Sequence, residues 1–198
     1  MKAASRRFPL VAVLAFALLG LGLGLGVATV MTLPGRPTTQ ASLIGGPFTL
    51  TADDGRTVTD ADFKGHPFLV FFGYTHCPDV CPTSLYEISQ VLKAMGPDTK
   101  VKVLFVTVDP ARDTPKEMKE YLSSFDPHII GLSGNESQTK AIEHAYRVYA
   151  KKVPGQNGEY TMDHTAIFYL MDKEGRFVSA FNLDRPAKVA AAELEKYL

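Results

Sequence analysis

The sequence has only two cysteines in 198 residues, Cys77 and Cys81. Two thiols this few and this close together cannot staple a fold, so they read as a site. Net charge is missing too, since 21 Lys and Arg balance 21 Asp and Glu. The balance is uneven along the chain. Residues 1–44 hold four basic side chains (Lys2, Arg6, Arg7 and Arg36) and no acidic one, which leaves 17 basic against 21 acidic, a net charge of −4, over the remaining 154 residues. A mildly acidic domain attracts phosphate backbones poorly, and no basic run with interleaved aromatics reverses that. No nucleic acid is expected as a partner. Internal repeats and low-complexity tracts are also lacking. What is present, 45% hydrophobic and 21% charged residues, is an ordinary globular composition, and the length fits one domain plus an appendage.

Charge is absent again from Phe8 to Leu33, 26 consecutive residues. At ~1.5 Å per residue, a helix of that length exceeds a ~30 Å hydrocarbon core. Lys2, Arg6 and Arg7 precede it. Their bias keeps the N-terminus cytoplasmic and sends everything after Leu33 to the periplasmic, extracytoplasmic side of the inner membrane. A cleaved signal peptide would have an apolar region of ~7–15 residues ending in a small-x-small site. No clear site of that kind closes this stretch. A buried soluble helix is disfavoured by Leu21-Gly22-Leu23-Gly24-Leu25-Gly26. The expected organisation is a cytoplasmic tail at 1–7, a transmembrane anchor at 8–33, a Pro/Thr/Ser-rich linker at 34–44 and a folded domain at 45–198.

Within the domain, 48–51 and 56–59 flank Asp53-Asp54-Gly55 and predict a hairpin. The apolar runs 67–74 (PFLVFFGY) and 101–108 (VKVLFVTV) suit strands buried on both faces. Leu85, Ile88, Val91, Leu92 and Met95 recur at helical spacing until Gly96-Pro97. Thr114-Pro115-Lys116-Glu117 is a capping signal for a helix over 115–124. A short strand at 129–132, a helix over 133–149, strands at 164–171 and 176–182 around Asp172–Gly175, and a final helix opened by Pro186 complete the reading. This order predicts an α/β fold with a mixed central sheet flanked by helices, preceded by one transmembrane helix.

The chemistry-bearing segment is His76-Cys77-Pro78-Asp79-Val80-Cys81-Pro82, where the 67–74 strand hands over to a helix. Each proline biases its predecessor away from helical dihedrals, so both cysteines are expected outside the helix, with Cys81 as cap and Pro82 as first residue. Unpaired N–H groups and the positive helix end would then favour thiolate. C-x-x-x-C is one residue longer than the redox C-x-x-C. A turn of that length permits either a disulfide or two ligands to one ion. Two thiolates rarely hold a metal alone, and the chain offers five histidines. His66, His128 and His144 read as solvated or locally hydrogen-bonded. His76 stays open, although neighbours on an extended segment tend to point apart. His164 is expected to begin a buried strand, and spacing alone leaves both a ligand and a structural role open.

The segments Gly73–Pro82, Val108-Asp109-Pro110-Ala111-Arg112-Asp113-Thr114-Pro115 and Asp163-His164-Thr165, in this order, resemble the Sco/SenC family over essentially the whole domain. The resemblance implies a thioredoxin-like fold and copper held by Cys77, Cys81 and His164. It also implies a role in assembling the dinuclear copper centre in subunit II of cytochrome c oxidase. Subunit II is then the expected client, with an upstream copper donor or thiol reductant as a further partner. Chemistry agrees, because soft thiolates plus imidazole suit copper, Cu(I) or Cu(II), and three ligands leave an open edge. A closed zinc site would want four.

Asp79 and Asp163 read either as solvated carboxylates or as groups that tune the imidazole or meet a partner. Asp109, Arg112 and Asp113 are expected to fix a loop through an ion pair rather than touch metal, and Met162 to pack. The alternative function is a thiol–disulfide oxidoreductase that keeps the client's cysteines reduced, with Cys77 and Cys81 as its redox pair. It needs the same thiols but not His164. A peroxidase would instead place a lone cysteine in its active-site loop.

Overall fold

The computed structural model describes residues 43–198. The tail, the anchor and nearly all of the linker expected from the sequence lie outside the described residues. Among the described residues no helix is long and apolar enough to cross a membrane.

Among the described residues, nine strands and four α-helices follow in the order β1 (Thr49–Ala52), β2 (Thr57–Thr59), β3 (Phe68–Gly73), α1 (Val80–Met95), β4 (Lys102–Thr107), α2 (Pro115–Leu122), β5 (Ile129–Ser133), α3 (Glu136–Ala145), β6 (Ala150–Pro154), β7 (Tyr160–His164), β8 (Phe168–Met171), β9 (Phe177–Phe181) and α4 (Ala187–Leu194). Seven strands form one sheet in the order β2-β1-β5-β4-β3-β8-β9. Its centre is parallel, β5-β4-β3, and antiparallel pairs extend it on both sides. This is the expected mixed α/β sheet. Every residue of β3 and five of the six in β4 are buried, as uninterrupted apolar runs require of central strands. Phe71 is in register with Phe105 on one side and Phe168 on the other. Its ring stacks on both, with centroids 6.1 and 4.5 Å away. Pairs of this kind contribute about 0.5–1.5 kcal/mol each beyond their buried area. The helix α1 packs on α4, and α2 packs on β5.

The first hairpin, the capping Thr114 and the two apolar strands form as expected, and the Thr114 hydroxyl accepts the Glu117 N–H. Three expectations are corrected. First, α1 begins at Val80 with Asp79 as cap residue, so Cys81 lies inside the first turn rather than ahead of it. A proline in the first turn lacks only an N–H that would have had no helical partner, so Pro82 does not force Cys81 out.

Second, the 133–149 helix is shorter. Ser133 belongs to β5, Asn135 and Gln138 form a reciprocal capping box, and the helix stops at Ala145 before Arg147 turns to φ 57°. Tyr149, the last residue of the expected helix, lies beyond its end and is exposed. Third, the sequence reading has no counterpart for β6 and β7. These two strands form an antiparallel sheet of their own. His164 therefore ends β7 and does not begin β8.

Candidate metal centre

The sheet ends its central strand at Gly73, and the chain turns through 74–79 into α1. The Cys77 N–H donates to the Tyr74 carbonyl (3.2 Å) and the Cys81 N–H to the Cys77 sulfur (3.4 Å). One otherwise unpaired N–H of the first helical turn is thus spent on a ligand sulfur. Cys81 is fully buried against β3: a Cβ at Gly73 would lie 2.8 Å from its sulfur and 2.5 Å from the Phe105 ring. Only glycine leaves room there.

His164 arrives from the separate hairpin, 83 residues after Cys81, and places Nε2 3.6 Å from the Cys81 sulfur. Its Nδ1 faces the Thr165 carbonyl at 3.2 Å and can only donate to it, so the lone pair sits on Nε2, toward the sulfurs. Thr165 is itself fixed, because its N–H donates to the Tyr149 carbonyl and its hydroxyl accepts the Tyr149 N–H. Tyr74 and Phe71 meet the imidazole edge to face. The donor atoms of Cys77, Cys81 and His164 all lie within 4.8 Å of one another, and this is the one such cluster among the described residues. Both cysteines are free thiols. This group can hold one metal ion.

Burial dominates the electrostatics. It pushes the Cys81 thiol far above the usual value, against the thiolate preference expected from the helix end. Burial also holds the His164 imidazole below its ordinary value, with the Thr165 carbonyl and the Asp163 charge opposing. The site thus offers a neutral nitrogen donor and a thiol whose proton leaves for solvent when a cation takes its place on the sulfur.

The remaining candidates separate cleanly. His76 is exposed and faces the Thr75 hydroxyl, and His128 pairs with Asp126. His66 and His144 are exposed, as are Asp79 and Asp163, and Met162 packs against the core. Asp109 pairs with Arg112 as expected. Asp113 is buried and accepts from the Thr107 hydroxyl (2.6 Å), the Thr75 hydroxyl (2.6 Å) and the Thr75 N–H (3.1 Å), which holds the cysteine loop down.

The sequence assigns no site role of their own to Gly73, Thr75, Thr107, Tyr149 or Thr165, although three of them fall inside the quoted motifs. Gly73 carried a signal, a glycine inside an otherwise bulky strand run.

Residues 36–198 match the family described as SCO1/SenC. The SCO2-like protein RP587 of Rickettsia prowazekii is 41% identical over 149 residues, spanning 73% of this chain and 72% of that protein. Protein sco1 of Schizosaccharomyces pombe is 39% identical over 173 residues, 85% of this chain but only 64% of the yeast protein's length. The structure of Bradyrhizobium japonicum ScoI with copper bound superposes with a TM-score of 0.77 at 63% identity, covering 78% of this chain and 99% of that one. A thioredoxin-like sheet, a two-thiol turn opening a helix and a histidine brought in from a separate hairpin thus occur in a chain whose residues 36–198 match this family, and it belongs to the SCO1/SenC family.

Proposed function

We propose that this chain is a membrane-anchored copper metallochaperone that delivers copper to the dinuclear centre of cytochrome c oxidase subunit II. One observation carries the reading: two thiols and a neutral imidazole nitrogen converge within 4.8 Å, and among the described residues no fourth His, Cys or carboxylate donor joins the cluster. That donor set suits copper and leaves an edge from which a client's ligands can take the ion. Copper is cargo here. On loading, each cysteine sheds its proton, the His164 Nε2 lone pair completes the set, and Thr165 keeps the ring oriented while the ion is passed on. The Sco/SenC resemblance supports subunit II as client. The uncharged stretch after Lys2, Arg6 and Arg7 supports an inner-membrane anchor with the domain on the periplasmic side.

A second reading, thiol–disulfide reductase toward the same client, is favoured by the unequal burial of the pair. Cys77 keeps 8% of its surface while Cys81 lies sealed beneath it, the asymmetry of an attacking and a resolving thiol. The deciding experiment is anaerobic copper titration of the reduced and the disulfide forms. The reduced chain should take up about one copper and the oxidised chain essentially none, because a single site loses both sulfurs. Equal loading of the two forms sinks the proposal.

A further inference from the structure

The two halves of the metal site are carried by different parts of the fold. Cys77 and Cys81 are fixed to β3 and α1, whereas His164 ends a two-stranded hairpin that shares no ladder hydrogen bond with the seven-stranded sheet. Apart from the short covalent link 165–167 to β8, which pairs with β3, side chains must set the separation between sulfur and nitrogen.

At the start of β7, Tyr160 is gripped from the loop that follows β4. Its hydroxyl donates to Asp109 (2.9 Å), and its backbone carbonyl accepts from Arg112 Nη1 (3.2 Å). The Arg112 guanidinium lies over its ring at 3.7 Å, and Lys152 from β6 lies against the same ring at 3.5 Å. Arg112 is locked in turn by its ion pair with Asp109, which is 4% exposed. It also approaches the ring of Tyr74, the residue edge-on to His164. Four residues further along the same loop from Asp109, Asp113 ties down the cysteine segment through Thr75.

We propose that Tyr160, clasped by Arg112 and Asp109, is the positioning residue for His164, and that the 109–113 loop is the brace holding the imidazole half of the site against its thiol half. The inference rests on the copper reading of the site but predicts which residues outside the ligand set govern it. Tyr160 makes no hydrogen bond or ring contact with Cys77, Cys81 or His164. Planar stacking and a forked donor are properties of Arg that Lys cannot copy, so the clasp is specific in its chemistry. If it is loosened, the β6–β7 hairpin opens more often while the thiols keep their helix turn, and Nε2 is no longer held in reach.

The test uses the full-length reduced chain with Tyr160→Leu, which leaves the Asp109–Arg112 pair intact, and Arg112→Lys, which keeps the charge on Asp109 neutralised. Cu(I) affinity should stay within about threefold of the unsubstituted chain because both thiolates remain, while Cu(II) affinity should fall at least about tenfold with loss of the nitrogen splitting in its electron paramagnetic spectrum. Amide hydrogen exchange without metal should quicken across 150–164 and stay unchanged in β3, β4 and β5.

Unaltered Cu(II) spectra and affinities in both variants overturn the proposal. An equal loss of Cu(I) and Cu(II) with faster exchange in the main sheet does so as well, since that is general destabilisation. If the unsubstituted chain shows no nitrogen ligand at all, the copper–histidine reading fails instead. Exchange across 150–164 then decides the clasp alone, faster upholding it and unchanged overturning it.

Discussion

The sulfur of Cys81 rests on the bare Cα of Gly73, so closely that a methyl group there would lie 2.8 Å from it. The neighbour on the other side is a Phe105 ring in the middle of the sheet, with no freedom to withdraw. Gly73→Ala should therefore destabilise the domain by about 1–3 kcal/mol, the usual cost of overpacking a core. It should weaken metal uptake more than a comparable substitution far from the thiols does. Urea denaturation of the metal-free chain with copper titration of the same sample checks both, and an unshifted midpoint would mean the sheet yields at this point.

His164→Ala separates delivery from disulfide chemistry. It removes the one nitrogen donor and leaves both thiols and the helix turn in place. Cu(I) should still bind, Cu(II) binding should be largely lost, and oxidase assembly should fail with it. Disulfide exchange toward a model dithiol should stay within about tenfold, equivalent to ~1.4 kcal/mol. Normal oxidase assembly in this variant, alongside failure of Cys77→Ser, would hand the function to the reductase reading.

Thr107→Val tests the support beneath the cysteine loop. The Thr107 hydroxyl donates to the buried Asp113 carboxylate and accepts the Asp109 N–H. Replacing it with a methyl of similar shape leaves a buried carboxylate short of a donor, at a cost of about 1.5–3 kcal/mol. A shift of the denaturation midpoint corresponding to less than ~0.5 kcal/mol would show that the two Thr75 bonds suffice.

Glu143, 4% exposed on α3, has one carboxylate oxygen on Lys140 and the other without a partner. Burial holds its folded pKa above the ordinary value despite the lysine. A raised carboxyl pKa means stability that is fully present below the unfolded value and lost as pH climbs through the folded one. Glu143→Gln escapes that loss, so its midpoint relative to the parent should rise between pH 4 and pH 7. A gap that stays constant over that range would assign the effect to packing.

Much of this was legible from residue patterns, because β3 and β4 announce themselves as apolar runs and Thr114 as a cap. The ligand trio was legible only through motif resemblance, since spacing alone left His164 open. The β6–β7 hairpin went unread for a physical reason: its strands, AKKVP and YTMDH, bury no residue fully and show no apolar face long enough to register. A local sign was nonetheless there. Asn157-Gly158, with φ of 56° and 81°, is the pairing favoured in tight hairpin turns. The Tyr160 clasp had no sign at all, being made by side chains 48 and 51 positions apart in the chain.

The seat of His164 also orders events during synthesis. The histidine lies just ahead of β8, and β8 is the strand that closes the open edge of β3. A nascent chain that has not yet reached residue 168 has its thiols beside an unpaired central strand, with the hazard any bare edge carries. Within a few residues the imidazole and the sealing strand emerge together, so a chain able to present all three donors is one whose sheet is ready to close.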